Sequence, residues 1–307
     1  MKQLRLLTIV GGLLAFLSRP ALIFAQDIPN LRLQISPTVA RLSLNPGETH
    51  TGSFQVINSG LSEFDYTIYI KPYQVNSENY DPNFELDVPR TQITRWIDLA
   101  STSGTLASME IQEIEFSINV PQDVPAGGQY AVIFVETGEK LPPDSSSIAI
   151  RQRLGYLIFS SIAGTTQEGG QLLEASIPRF WTKPPIQSSS LIENSGNTDF
   201  VVNYHLQIDT LSGQEKASIS REYTLLPETK RLVNLDWADA PIFGIYQATQ
   251  TEEFLGQTFT QSATVFIAHP VIIAVTTTTL VILIITITVI RLVNRRRRER
   301  SNSSAAG

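Results

Sequence analysis

The chain has 307 residues, 42% apolar and 17% charged, with a formal net charge of −6 and no cysteine. The apolar share is ample for packed cores, and an acidic balance disfavours nucleic acid and anionic lipid as partners. Without cysteine there is no disulfide framework and no thiolate metal site, so any exported part must rest on hydrophobic cores.

At the N-terminus, Lys2 and Arg5 precede an apolar run over residues 6–17, and Phe24-Ala25-Gln26 offers a small residue for cleavage. This is the pattern of a secretory signal peptide over residues 1–25. Residues 26–269 then hold 14 Lys and Arg against 28 Asp and Glu, a formal net charge of −14. This exported stretch contains no Asn-x-Ser/Thr sequon. That absence and the missing cysteines fit a bacterial surface protein.

Short alternating segments follow, broken by Pro, Gly, Asn and Ser. Phe64, Tyr66, Ile68 and Ile70 fall on one face of a period-two pattern, as do Ile114, Phe116, Ile118 and Val120. Each reads as a half-buried strand. Met109 and Ile111 are out of phase with the second set, which predicts a bulge or break near Gln112 and Glu113. Residues 130–135 are nearly all apolar and read as a central strand buried on both faces. Residues 138–147, GEKLPPDSSS, read as a hairpin loop leading to a strand over residues 148–162. No stretch of the exported part has a convincing helical period.

The polar segment TTQEGG at residues 165–170 reads as a domain boundary. Beyond it the pattern repeats. Asn58-Ser59-Gly60 with Phe64 recurs as Asn194-Ser195-Gly196 with Phe200 at the same spacing, and Gly128-Gln129-Tyr130 is echoed by Gly244-Ile245-Tyr246. The expected fold is therefore all-β: two tandem immunoglobulin-like β-sandwiches, over residues 27–164 and 171–268. The last strand runs almost directly into an uncharged stretch at residues 271–290, followed by Arg291 and Arg295-Arg296-Arg297-Arg298. Roughly 20 apolar residues suffice for a membrane-spanning helix, and flanking arginines mark the cytoplasmic side. Residues 291–307 then form a basic cytoplasmic tail, and the chain is a single-pass protein of the cell membrane. The threonines of the span, Thr276 to Thr279, Thr286 and Thr288, can bond carbonyls one turn back.

Catalytic and metal signatures are sparse. The three histidines are scattered, the acidic residues between Glu78 and Asp87 lack a calcium-loop spacing, and no nucleophile elbow or phosphate loop occurs. The chain reads as non-enzymatic, with no cofactor and no metal. Leu226-Pro227-Glu228-Thr229-Lys230 is similar to a sortase signal but ends in lysine and lies far upstream of the apolar segment. It reads as a turn between two strands. An insert from Lys71 to Trp96 carries Tyr73, Tyr80, Phe84 and Trp96 among polar residues. Such aromatics either bind a ligand or partner, or cap the sandwich core.

Ser36-Pro37, Leu42-Ser43-Leu44-Asn45-Pro46-Gly47, Val56-Ile57-Asn58, Val120-Pro121 and Val124-Pro125-Ala126-Gly127-Gly128-Gln129-Tyr130 resemble the WxL-interacting proteins of bacterial surfaces, over about residues 31–162. The resemblance implies a first domain associated with peptidoglycan binding and a second with host or partner binding. No W-x-L triplet occurs in the chain. The expected role is a membrane-anchored adhesion or scaffold protein that binds cell-wall peptidoglycan or another surface protein. The alternative is a chaperone-like or surface-assembly subunit that captures a partner by β-strand addition.

Overall fold

The computed structural model describes residues 32–138 and 151–304. The expected signal peptide, residues 1–25, and most of the expected hairpin loop, residues 138–147, lie outside the described residues. Alternation and turn residues convert into strands as expected. The first unit contains β1 (Leu33–Ser36), β2 (Val39–Leu44), β3 (Thr49–Asn58), β4 (Phe64–Pro72), β5 (Gln74–Val75), β6 (Pro82–Asn83), β7 (Ile97–Leu99), β8 (Ser103–Leu106), β9 (Ile111–Asn119), β10 (Gly127–Thr137) and β11 (Arg153–Ile162). A 3-10 helix spans Pro89–Arg95. The second unit contains β12 (Gly170–Ser176), β13 (Phe180–Trp181), β14 (Ile186–Asn194), β15 (Phe200–Thr210), β16 (Glu215–Leu225), β17 (Thr229–Trp237), β18 (Phe243–Phe254) and β19 (Gln257–Ala268).

Each unit is a sandwich. In the first, a sheet ordered β1-β3-β9-β7 lies with one ordered β2-β11-β10-β4-β8. In the second, β12-β14-β17 lies with β13-β19-β18-β15-β16. The two five-stranded sheets correspond position by position. In each, the outermost pair is parallel, β2 with β11 and β13 with β19, and the other pairs are antiparallel. Phe64, Tyr66 and Ile68 fill the first core together with Phe54, Ile114, Phe116, Ile118 and Tyr156. Phe200, Val202, Tyr204 and Leu206 hold the matching positions in the second core.

The repeated Asn-Ser-Gly turns have a common cause. Asn58 is fully buried and donates its side-chain amide to the carbonyls of Ser62 (2.8 Å), Leu106 (3.2 Å) and Ala107 (2.9 Å). Its oxygen accepts the Gly60 N–H at 2.9 Å. Asn194 repeats this with Thr198 (2.9 Å), Leu225 (3.1 Å) and the Gly196 N–H (2.9 Å). A buried amide that satisfies backbone groups from two loops fixes the entry of the next strand and places Phe64 and Phe200 identically. In both central strands a glycine stands two residues before a tyrosine. A Cβ on Gly128 would lie 2.0 Å from the Tyr130 oxygen, and one on Gly244 would lie 2.5 Å from the Tyr246 ring.

One expectation fails locally. β9 pairs with β3 without a register shift from Ile111 to Asn119, so there is no bulge at Gln112 or Glu113. The phase break lies earlier, at Met109, which takes a left-handed φ of 60° and is exposed, while Ile111 faces solvent. A left-handed turn residue resets the phase without interrupting any ladder.

After β19 the chain enters a helix at Pro270–Ser304, whose segment Pro270–Leu292 has a mean hydropathy of 2.5 and buries none of its residues in the sandwiches. It is long and apolar enough to cross a bilayer. The hydroxyls of Thr276, Thr277, Thr279, Thr286 and Thr288 donate to carbonyls four residues back at 2.8–2.9 Å, as the sequence suggests. The basic segment continues this helix to Ser304.

Candidate functional site: an aromatic junction beside an open strand edge

Strand β10 is buried on both faces because something covers its outer side. One face, Ala131, Ile133 and Val135, joins the first core. The other, Tyr130, Val132 and Phe134, is roofed by the insert that follows β4. Phe84 packs edge-on against Phe134 at 4.9 Å, and Tyr73 packs edge-on against Phe159 of β11 at 5.7 Å. The short β5–β6 hairpin holds these rings over the sheet. The 3-10 helix is secured by Gln129, which accepts the Ile93 N–H at 3.3 Å and donates to the Pro89 carbonyl at 2.8 Å.

The four aromatics singled out from the sequence thus have separate places. Trp96, 8% exposed, belongs to the first core. Tyr73 and Phe84 are half-buried and roof the sheet. Tyr80 reaches the second sandwich: its hydroxyl accepts the Leu226 N–H at 2.6 Å and shares a hydrogen bond with Thr229 at 2.7 Å. Arg231 stacks over the Tyr80 ring at 4.1 Å. Burial raises the Tyr80 hydroxyl pKa and lowers that of the Arg231 guanidinium. The LPETK segment is the turn between β16 and β17, and it is the surface Tyr80 docks on. Leu226 is 1% exposed, and Glu228 pairs with Arg90 of the 3-10 helix.

Sequence reasoning did not reach the rest of this junction. Asp199 accepts from the Tyr130 hydroxyl at 2.9 Å and from Arg41 at 2.8 Å, and Arg41 also donates to Thr224 at 2.7 Å. Burial, with the nearby Asp199 charge, holds the Tyr130 hydroxyl far above its usual range. The Gly128 N–H donates to the Asn197 carbonyl at 2.7 Å, and the Leu232 N–H to the Glu78 carbonyl at 2.7 Å. Tyr130, Phe159 and Leu226 form a small core of their own between the sandwiches. The signal that was available was the placement of Asp199 and Arg41 beside a turn and a strand edge, and single charges at such places have no readable periodicity.

Next to the roofed sheet lies an incomplete edge. β11 pairs with β10 from Arg153 to Ile162, but with β2 only from Leu157 onward. The N–H groups of Leu157 and Ala163 donate towards Thr38 and Leu44, so the alternate residue Gly155 aims its N–H to the same side. No strand pairs with it there among the described residues, although β1 passes close by and the Leu33 N–H donates to the Gln152 side-chain oxygen at 2.8 Å. Leu154 continues the inward row of Tyr156, Ile158 and Ile162, yet it is 38% exposed. Open backbone beside an exposed apolar inward position is what an added strand would complete. By contrast β16, the 11-residue edge of the second sandwich, carries Glu215, Lys216, Arg221 and Glu222. Such charges discourage pairing.

No family model matches the chain, and no curated protein matches it. Among solved structures, it is similar to the CsuC–CsuE chaperone-tip adhesion subunit complex of Acinetobacter baumannii. Identity is 13%, covering 75% of this chain and 97% of that one, with a TM-score of 0.40. It is also similar to the Escherichia coli chaperone DraB, at 13% identity over 76% and 98% with a TM-score of 0.38. A PapD-like domain of human CEP192 shares 17% identity over 46% and 91%, with a TM-score of 0.32.

Proposed function

We propose that this chain is a non-enzymatic, membrane-anchored surface protein. Its first sandwich captures an extended segment of a partner surface protein along the open edge of β11. The observation that carries the reading is the unpaired stretch of β11 at Gly155, next to the exposed inward side chain of Leu154. Strand addition needs such an edge: main-chain hydrogen bonds give affinity, and an apolar socket gives register. The junction supports the reading by fixing the second sandwich relative to this edge. The arginines after the apolar helix support an orientation with the sandwiches outside and the C-terminus in the cytoplasm. The similarity of residues 31–162 to WxL-interacting proteins supports a surface role and makes peptidoglycan the second ligand class. Against a polymer platform, Trp96 and Tyr80 are engaged inside the molecule.

The test uses the full chain with a photocrosslinking residue at Leu154 or, as control, at Lys216 on β16. Crosslinking of a surface protein at 154 but not at 216, with slowed exchange of the Gly155 amide on binding, is the expected result. Equal crosslinking at both positions, or binding to isolated cell walls that Leu154→Asp leaves unchanged, overturns it.

A further inference from the structure

The outer face of the second five-stranded sheet changes character along its strands. Rungs far from the helix are polar: His205 with Thr251 and Thr260, and Gln207 with Thr249 and Ser262, followed by Gln247 with Thr264. Thr249 shares a hydrogen bond with Ser262 at 2.9 Å, and Thr264 donates to Gln247 at 3.1 Å. The next rung is wholly apolar. Ile245 pairs with Phe266, which pairs with Phe180, and Phe243 follows beside Ala268. Phe180 and Phe243 lie against Phe266 at 5.6 and 5.9 Å, yet Phe180 is 53% exposed, Phe243 54% and Ile245 45%. Ile242, 60% exposed, adjoins them. Arg179 and Lys183, both exposed, flank the β13 side.

These residues lie where the chain turns into its apolar helix. Phe266 precedes Pro270 by four residues, and the Ile242 carbonyl accepts the His269 N–H at 2.9 Å. At about 3.3 Å per strand residue the apolar rungs lie within roughly 13 Å of the helix start along the strand. Soluble surfaces rarely gather large apolar side chains in this way without a partner. We propose that the lower rim of the second sandwich is a lipid-binding surface. Phe180, Ile242, Phe243 and Ile245 dip into the headgroup layer around the helix and hold the sandwich on the bilayer. This rests on the reading of residues 270–292 as a membrane span, which the contact continues outward. The chemistry is apolar and aromatic contact with an interface, with the two flanking cations facing phosphate.

Because the chain has no cysteine, single labels can be placed without background. The full chain, reconstituted in phosphatidylcholine vesicles, carries a spin label at Ile245→Cys, at Thr249→Cys on the same face, or at Leu283→Cys within the helix. Collision with oxygen and with a water-soluble nickel chelate reads depth. Expected is a higher oxygen-to-nickel ratio at 245 than at 249, with 283 higher still. A low ratio at 245 with a high one at 283 overturns the lipid contact and leaves the span standing. Low ratios at both sink the membrane reading itself. Strong spin–spin broadening at 245 means that a second copy covers the rim, and it also overturns the proposal.

Discussion

The two five-stranded sheets share strand order and the sense of every pairing, yet their outer faces have opposite fates. In the first, the aromatic insert covers Tyr130, Phe134 and Phe159, so the central strand is buried from both sides. In the second, the equivalent face is open: mostly polar above, with its large exposed apolar side chains at the rim beside the helix. The same framework therefore serves as a two-sided core or as a one-sided surface, and the difference lies in about 25 residues between β4 and β7. The cores differ too. Ser188, Ser190, Tyr204, Gln250 and Glu252 are buried together in the second sandwich. Tyr204 donates to Ser188 at 2.8 Å, Gln250 to Glu252 at 3.2 Å, and Ser190 to Glu252.

If the sandwiches are equivalent, Phe64→Ala and Phe200→Ala should each cost about 3–5 kcal/mol, measured by denaturant unfolding. A loss below about 1 kcal/mol at both would break the equivalence. The buried asparagines sharpen it. Asn58→Ala strands three carbonyls and Asn194→Ala two. At about 1–3 kcal/mol per stranded buried group, with loop relaxation recovering part, both should be destabilised and Asn58→Ala more so. Equal, negligible losses would mean that the turns do not depend on them.

The alternating residues of β4, β9 and β15, the paired Asn-Ser-Gly turns and the apolar span were legible because each repeats a period or a motif. The insert was not. Tyr73, Tyr80, Phe84 and Trp96 follow no period of two or 3.6, so nothing in their spacing separates core, roof and junction. The polar cluster was hidden for a related reason. Gln250 and Glu252 occupy inward positions of β18 between equally polar Thr249, Thr251 and Glu253, so the strand shows no contrast between its faces. The open edge of β11 is a property of where β2 begins, which composition does not record.

A smaller effect is expected at the junction. Tyr80→Phe leaves the Leu226 N–H without its acceptor and should cost about 1–2 kcal/mol in the coupling between the sandwiches. Wider interdomain distance distributions, measured between paired spin labels on the two sandwiches, would report it. Unchanged distributions would mean that the Asp199 and Asn197 contacts suffice.

The finest difference is a slope. Burial raises the carboxyl pKa of Glu252, whose second oxygen has no hydrogen-bond partner. The folded state then holds this proton more tightly than the unfolded chain. The stability it contributes is complete below the ordinary carboxylate range and is lost as pH rises through the raised value. Glu252→Gln should flatten that decline and leave the variant more stable at neutral pH. An unchanged pH profile would show that the group ionises without cost.

Strand β19 passes into the helix with only His269 between Ala268 and Pro270, while its other end, at the Leu255–Gly256 turn, lies near Gly170 where the second sandwich begins. Under the proposed function, a partner pulled away from the cell would load the molecule along this axis. The tension would run parallel to β19, across a twelve-residue ladder with β18 whose hydrogen bonds stand perpendicular to the pull. Those bonds would be strained together in shear instead of opening one at a time. If the proposed capture and membrane span hold, the single residue between β19 and the helix would transmit force stiffly and make the second sandwich the mechanical link between partner and bilayer.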